Sequence, residues 1–323
     1  MTRAFDVTHP MTARSSSSSS SPSWVRQLGL PALSGSLAVC FSHPLELTKA
    51  RLQVDLELAR HGERPRAYAG WMDCVAKNWR ANGIRGLQAG LQLGIIREFF
   101  FNGIRLGCFE PLIDMVQNTT GSKGKAPPSA SEKLAAGLTA GALGGLLINP
   151  VDVLKTRAQI SGGESGYQHS PRLGFASAAA AMIREEGAAG LVRGVGVNTL
   201  RGILGPGSQV TAYSLLKEHA GRLSGNTLGA SDVATHVTCS LLSAAVSVAF
   251  VNPVDVLRTR LYNQPFGTGG VGLRYSGGID AAAKLLRAEG PFAFYKGAGA
   301  HFARLGPHML FVFVIFEQLK MRV

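Results

Sequence analysis

The sequence predicts an all-α membrane protein: six transmembrane helices in three pseudosymmetric repeats, with short helices lying along the membrane surface. Three observations predict it. First, "HPLELTKAR" at 43–51 returns as "NPVDVLKTR" at 149–157 and "NPVDVLRTR" at 252–260, so Pro44, Pro150 and Pro253 are 106 and 103 residues apart. Near-constant steps mark an internal repeat, which decides the architecture before any single element does. Second, the 323 residues are 46% hydrophobic and only 16% charged, with a mean hydropathy of +0.13. Soluble domains carry about 25% charged residues, yet this chain is too polar for six uniformly apolar spans. Helices with one face to lipid and one to water reconcile the two. Third, each repeat holds two apolar segments able to cross a hydrocarbon core of about 30 Å at about 1.5 Å per residue.

Taken in order, residues 1–23 contain a serine run at 15–21, with Arg3 and Arg14 against a single acid, Asp6. Such a composition reads as a disordered tail; it shares the acid-poor, Ser-rich character of a transit peptide but lacks the amphipathic arginine pattern. Repeats follow at 24–122, 131–224 and 230–323. In each, an apolar segment rich in small residues leads to the proline (25–43, 132–149, 231–252). Stretches such as "SGS" at 34–36 and "GLTAG" at 137–141 let such helices approach closely. A basic, polar stretch comes next, then a segment with one apolar side (71–81, 173–185, 278–288), expected to lie along the membrane. It ends at Asn82-Gly83, Glu186-Gly187 or Glu289-Gly290. Gly90, Gly194 and Gly297 come seven residues after those glycines, and second apolar segments (91–116, 195–219, 298–320) close the repeats. Six spans put both termini on one side. A soluble α-solenoid is the rival architecture, but no shorter unit repeats.

The net charge of +13 suits an anionic partner: nucleic acid, anionic lipid or an acidic solute. The charges are scattered through the repeats rather than gathered in a stripe, which disfavours nucleic acid. Cys40, Cys74, Cys108 and Cys239 show no C-x-x-C spacing and no histidine cluster, so free thiols are expected and no metal site or cofactor. No catalytic constellation stands out, so an enzyme is not expected.

Each proline kinks the end of an odd-numbered helix, and the acid at +2 and base at +5 share one face of the next turn. Around a pseudo-threefold axis the acid of one helix meets the base of the next. The expected ring pairs Glu46 with Lys155, Asp152 with Arg258, and Asp255 with Lys49. Formed, it seals one end of a central cavity; broken, it opens it. A further Arg follows each motif base by two residues (Arg51, Arg157, Arg260).

Arginines inside the even-numbered spans need a reason, since each costs about 2.5–3.5 kcal/mol at mid-membrane. Arg97, Phe101 and Arg105 share one helical face; Arg201 has Gln209 two turns on, and Arg304 has His308 one turn on. Arg97, Arg201 and Arg304 each follow a repeat glycine by seven residues, so they are equivalent and are expected to converge at one solute site. Guanidinium forks suit carboxylate or sulfate oxygens. The alternatives are arginines that satisfy backbone carbonyls or pair with Glu98, and a Glu98 that carries a coupled proton. His308 and Phe101 read equally as packing residues.

With these residues in place, the sequence resembles the mitochondrial carrier family, whose motif is P-x-[DE]-x-x-[KR]-x-[RK], then an acid–glycine pair and a late glycine. The resemblance covers about residues 25–320. It implies six tilted helices in a threefold pseudosymmetric barrel that alternates between a matrix gate, the ring above, and a cytoplasmic gate. Gln53 and Gln159 match the family's glutamine braces, with Tyr262 in the third repeat and Asn82 where the first repeat's acid is usual. "FEQLK" at 316–320 matches the family's second gate fully; "FEPLI" at 109–113 keeps Glu110, and "YSLLK" at 213–217 keeps Lys217. The family's cyclic pairing then leaves two bridges, Lys217–Glu317 and Lys320–Glu110. "VRG" at 192–194 and "YKG" at 295–297 resemble the family's cardiolipin sites, implying Arg193, Gly194, Lys296 and Gly297.

At branch level, "NGIRLG" at 102–107, "TRLYNQP" at 259–265 and "FARLGPH" at 302–308 resemble the oxaloacetate and dicarboxylate carriers, including solute carrier family 25 members 34 and 35. That resemblance implies a monomeric, multi-pass transporter of the mitochondrial inner membrane that exchanges oxaloacetate, malate, malonate, sulfate or thiosulfate. An uncoupling-type proton leak and a carrier-like scaffold without transport are the alternatives.

Overall fold

The computed structural model describes residues 29–60, 65, 67–121, 128–161, 175–223, 233–265 and 272–322. The expected tail at 1–23 lies outside them. Every long element is a helix: α1 (Leu30–Arg60), α2 (Trp71–Leu87), α3 (Leu91–Gly107), α4 (Phe109–Thr120), α5 (Ala130–Ile160), α6 (Phe175–Glu186), α7 (Ala189–Val192), α8 (Val195–Leu223), α9 (Val233–Asn263), α10 (Gly278–Glu289) and α11 (Ala298–Arg322). A short 3-10 turn, Pro291–Tyr295, stands before α11.

Helix α1 packs on α3, α3 on α5, α5 on α8, α8 on α9, α9 on α11 and α11 on α1, closing a ring of six. The odd members α1, α5 and α9 also touch one another. The second span is two helices because Pro111 lacks the N–H that the Gly107 carbonyl would accept. Helices α2, α6 and α10 are the short, one-sided segments between the spans.

The odd helices run far beyond the expected ends at the prolines, to Arg60, Ile160 and Asn263. A proline removes one helical hydrogen bond without forbidding the next turn, and the freed carbonyl can find another donor. In α1 that carbonyl is Cys40 O, four residues before Pro44, and Gln88 Nε2 donates to it at 3.0 Å. Helix α5 starts with a capping box, Ser129 and Glu132 satisfying each other's backbone N–H.

Among the described residues, Ser131–Ile160 and Thr238–Asn263 are the stretches that combine span length with a continuous apolar window. The sequence reading expected six. Arg97, Glu98 and Arg105 crowd one 17-residue helix, α3, and α1, α8 and α11 also carry charge and small polar residues. Charge that faces the interior lowers hydropathy without removing the lipid-facing side. Leu146, Leu147 and Phe250 illustrate that side: they are exposed on α5 and α9.

Candidate functional site

The three proline motifs meet where the odd helices touch. Lys155 Nζ donates to Glu46 at 2.8 Å, Arg258 Nη1 lies 3.6 Å from the Asp152 carboxylate, and Lys49 donates to Asp255. Each bridge joins two repeats, and together they form a buried polar plug.

Beneath them stand the brace positions. Gln53 accepts from Thr259 Oγ1 at 2.8 Å and donates to Lys296 O at 3.4 Å. Tyr262 donates to Asn149 Oδ1 at 2.7 Å, with its ring 5.8 Å from the Arg258 guanidinium. Gln159 Nε2 is buried with no hydrogen-bond partner. Each brace packs on a repeat glycine of another repeat. A Cβ at Gly194 would lie 2.9 Å from the Tyr262 ring, one at Gly297 3.4 Å from Gln53, and one at Gly90 3.5 Å from Gln159. All three glycines also have positive φ, between 65° and 78°, which side-chain-bearing residues avoid.

Sequence reasoning missed the residue before each proline. His43 Nε2 donates to Ala89 O at 2.9 Å; Asn149 donates to Leu191 O and Arg193 O at 2.9 and 3.1 Å; Asn252 donates to Phe294 O and Lys296 O at 2.8 and 3.3 Å. Each clasps the backbone just before the glycine that starts the next span of its own repeat. The signal was present: a polar residue at one offset in all three motifs.

The equivalent arginines do not stand free at a shared site. Arg97 Nε donates to Asp152 at 3.2 Å while its guanidinium pairs with Glu98, which also accepts from Asn102 at 3.1 Å. Arg201 Nε donates to Asp255 at 2.8 Å. Arg304 lines the same cavity as Glu46, Lys49, Gln53, Arg201 and Asp255, and its Nε is buried without a partner. Two of the three equivalent arginines thus hold plug acids, Arg97 on Asp152 and Arg201 on Asp255. A buried cation is costly unless paired, and the acids of the neighbouring repeats lie within reach.

Phe101 is packed with Ile148 and Val151, 4.6 Å from the Arg97 guanidinium and 5.9 Å from that of Arg105. His308 Nδ1 lies 2.9 Å from Ser42 Oγ, and Gln209 is partly exposed on α8. Two contributors were not foreseen. Asn198 donates to Asp152 at 3.0 Å and accepts from Arg258 at 3.1 Å; His301 Nδ1 lies 3.7 Å from Asp255 and 3.4 Å from Asn252 Oδ1. Both follow a repeat glycine by four residues, a position at which the first repeat has Gly94.

The second base of each motif holds a surface helix. Arg157 grips Glu186 with two bonds of 2.5 and 3.0 Å, and Arg260 grips Glu289 with two of 2.5 and 2.9 Å. In the first repeat Arg51 meets Asn78, not the exposed Asn82. Arg193 and Lys296, expected to face lipid phosphate, also meet these acids: Arg193 lies 3.5 Å from Glu186, and Lys296 donates to Glu289. Burial pushes the Arg193 guanidinium down to about 10 against the opposing pull of Glu186. Burial raises the Glu289 carboxyl, but hydrogen bonds from Arg260 and Lys296 outweigh it and hold the group below its usual range.

At the opposite ends of the even helices Glu110 is exposed and Lys217 partly exposed; the side chains of Glu317 and Lys320 lie outside the described residues.

The model of the mitochondrial carrier protein family matches residues 20–120, 126–223 and 229–323, one copy per repeat. The chain belongs to the mitochondrial carrier family. Among its relatives is mouse solute carrier family 25 member 35, 32% identical over 286 residues (88% of this chain, 93% of the relative). The bovine mitochondrial 2-oxoglutarate/malate carrier protein is 31% identical over 291 residues (89% and 88%). Mitochondrial uncoupling protein 1 of Arabidopsis thaliana is 32% identical over 277 residues (86% and 86%). The carrier is thus a transporter by family, and two of these three relatives carry mitochondrial names.

Proposed function

We propose that this carrier exchanges small dianions, dicarboxylates such as malate and oxaloacetate or inorganic dianions such as sulfate, across the mitochondrial inner membrane. The observation that carries the reading is the charge of the plug layer. Six cations (Lys49, Arg97, Lys155, Arg201, Arg258, Arg304) face four carboxylates (Glu46, Glu98, Asp152, Asp255), an excess of two. A dianion balances it, and Arg304 has a buried donor to offer the first oxyanion. Arg97 and Arg201 each hold a plug acid, so oxyanions that take those guanidinium groups loosen the plug as they bind.

In this reading Glu46, Lys49, Asp152, Lys155, Asp255 and Arg258 form the matrix gate, braced by Gln53 and Gln159. Glu110, Lys217, Glu317 and Lys320 form a two-bridge cytoplasmic gate. Arg105, Phe101, Gln209 and His308 line the way between. Cardiolipin phosphates meet Gly194 and Gly297 through backbone N–H groups, with Arg193 and Lys296 shared between lipid and acid, and the working unit is a monomer. The test is uptake of labelled malate or sulfate by vesicles holding the purified carrier. Uptake that requires an internal dianion supports exchange; its absence for every dianion tried removes the reading. The likeness to an uncoupling protein favours proton leak as the second reading, which predicts a proton current without internal dianion.

A further inference from the structure

His301 stands on the wall of the plug with its side chain 3% exposed. It belongs to α11, one turn before Arg304, and every span packed around it presents polar groups. Asp255 and Asn252 face it from α9 at 3.7 and 3.4 Å. Lys49 from α1, Arg201 from α8 and Arg304 from its own helix complete the charged surroundings. Three cations against one carboxylate leave an excess of two positive charges around the imidazole. A dianion between Arg201 and Arg304 cancels that excess, and Nδ1 already has Asp255 and Asn252 Oδ1 as acceptors for a proton gained.

From this geometry we infer that the carrier takes up a proton with its dianion, and that His301 is the residue that holds it. The inference rests on the dianion reading above and extends it to proton-coupled transport. The proton comes from solvent, resides on the imidazole while substrate is bound, and leaves with it. The equivalent positions, Gly94 and Asn198, do not titrate, so the third repeat alone supplies this coupling.

The test is sulfate binding to the purified full chain in detergent, followed by thermal shift and by proton uptake in weakly buffered solution. Sulfate keeps both charges over the range used, so any proton gained belongs to the protein. Linkage makes affinity fall by up to about tenfold per pH unit between about pH 6 and about pH 8 when one proton accompanies binding. In His301→Asn, which copies the residue of the middle repeat, sulfate still binds but its affinity is independent of pH and the uptake is gone. His301→Gln, a second non-titrating amide, gives the same flat profile. Two other histidines lie near: His43 beside Glu46, Lys155 and Arg304, and His308 beside Ser42, Glu98 and Arg304. His43→Asn, matching Asn149 and Asn252, keeps the pH dependence. Binding without proton uptake in the unmodified carrier overturns the inference and leaves dianion exchange standing. So does uptake that survives both His301 variants or vanishes in the His43 control. Failure of sulfate and malate alike to bind overturns both readings.

Discussion

The bridge between Lys155 and Glu46 offers the cleanest measure of the plug, because Asp255 and Asp152 each serve several cations whereas these two face each other at 2.8 Å. Glu46→Gln leaves the Lys155 ammonium, with its side chain 4% exposed, without its carboxylate. Removing one partner of a buried pair costs about 3–5 kcal/mol. The Glu46 side chain is 19% exposed, and screening there brings the expected loss to about 2–4 kcal/mol. Lys155→Gln alone costs a similar amount, since it leaves the carboxylate short of a cation. The double variant removes both charges, so its loss falls short of the sum by about 1–3 kcal/mol. At about 2 °C per kcal/mol for a chain of this size, each single variant lowers the apparent Tm in mild detergent by about 4–8 °C. The double variant then recovers about 2–6 °C relative to additivity. Four melting curves at one detergent concentration measure it. Additivity to within about 0.5 kcal/mol means the two groups do not interact in the folded carrier, and the ring of bridges is then wrong.

Other outcomes follow from the same contacts. Arg304→Ala loses the thermal stabilisation that sulfate or malate confers, while the unliganded Tm moves little because Arg304 Nε has no partner to lose; retained stabilisation removes Arg304 from the site. Arg157→Leu leaves Glu186 buried and costs about 3–5 kcal/mol, seen as a large fall in apparent Tm; an unchanged Tm contradicts the two-bond grip. The Glu289 carboxyl is held below 4.5 when folded, so its stabilisation is present above the unfolded value and lost as pH falls through the folded one. Apparent Tm therefore drops on acidification below about pH 4.5, and Glu289→Gln flattens part of that drop. Cys74 is fully buried with its thiol pushed up to about 12, so N-ethylmaleimide labels the partly exposed Cys40 and Cys108 and spares Cys74, as read by mass spectrometry of the folded carrier.

The pairing of plug acids and bases was legible because two local facts define it: a spacing that puts acid and base on one helical face, and a period that repeats the face three times. Chain extension through the prolines was not legible. It depends on a donor such as Gln88 reaching Cys40 O from 48 positions away, and nothing in a motif states where a freed carbonyl finds its partner. The commitment of Arg97 and Arg201 was hidden for a similar reason. Equivalence gave their common depth, but the reach from that depth to the next repeat's acids is a matter of three-dimensional packing. Asn78 was missed through register: Gly83 follows Arg51 by 32 residues, whereas Gly187 and Gly290 follow Arg157 and Arg260 by 30. Those two extra residues take Asn82 out of the equivalent place, and Asn78, one turn earlier on α2, receives the guanidinium instead.

The contacts fall into two sets, those within a repeat and those between repeats. The clasps of His43, Asn149 and Asn252, the grips of Arg157 on Glu186 and Arg260 on Glu289, and the contact of Arg51 with Asn78 each lie within one repeat. The plug bridges, the ties from Arg97 to Asp152 and from Arg201 to Asp255, and the brace–glycine contacts all cross from one repeat to another. Moving the three repeats apart as rigid bodies therefore breaks only cross-repeat contacts and leaves every clasp intact. The brace–glycine contacts are small apolar ones that give way readily, whereas the buried ionic ties need a replacement for each carboxylate they release. In the dianion-exchange proposal a dianion supplies that replacement at the same guanidinium groups, so the energy that holds the plug shut and the energy that captures the solute are drawn from one set of arginines.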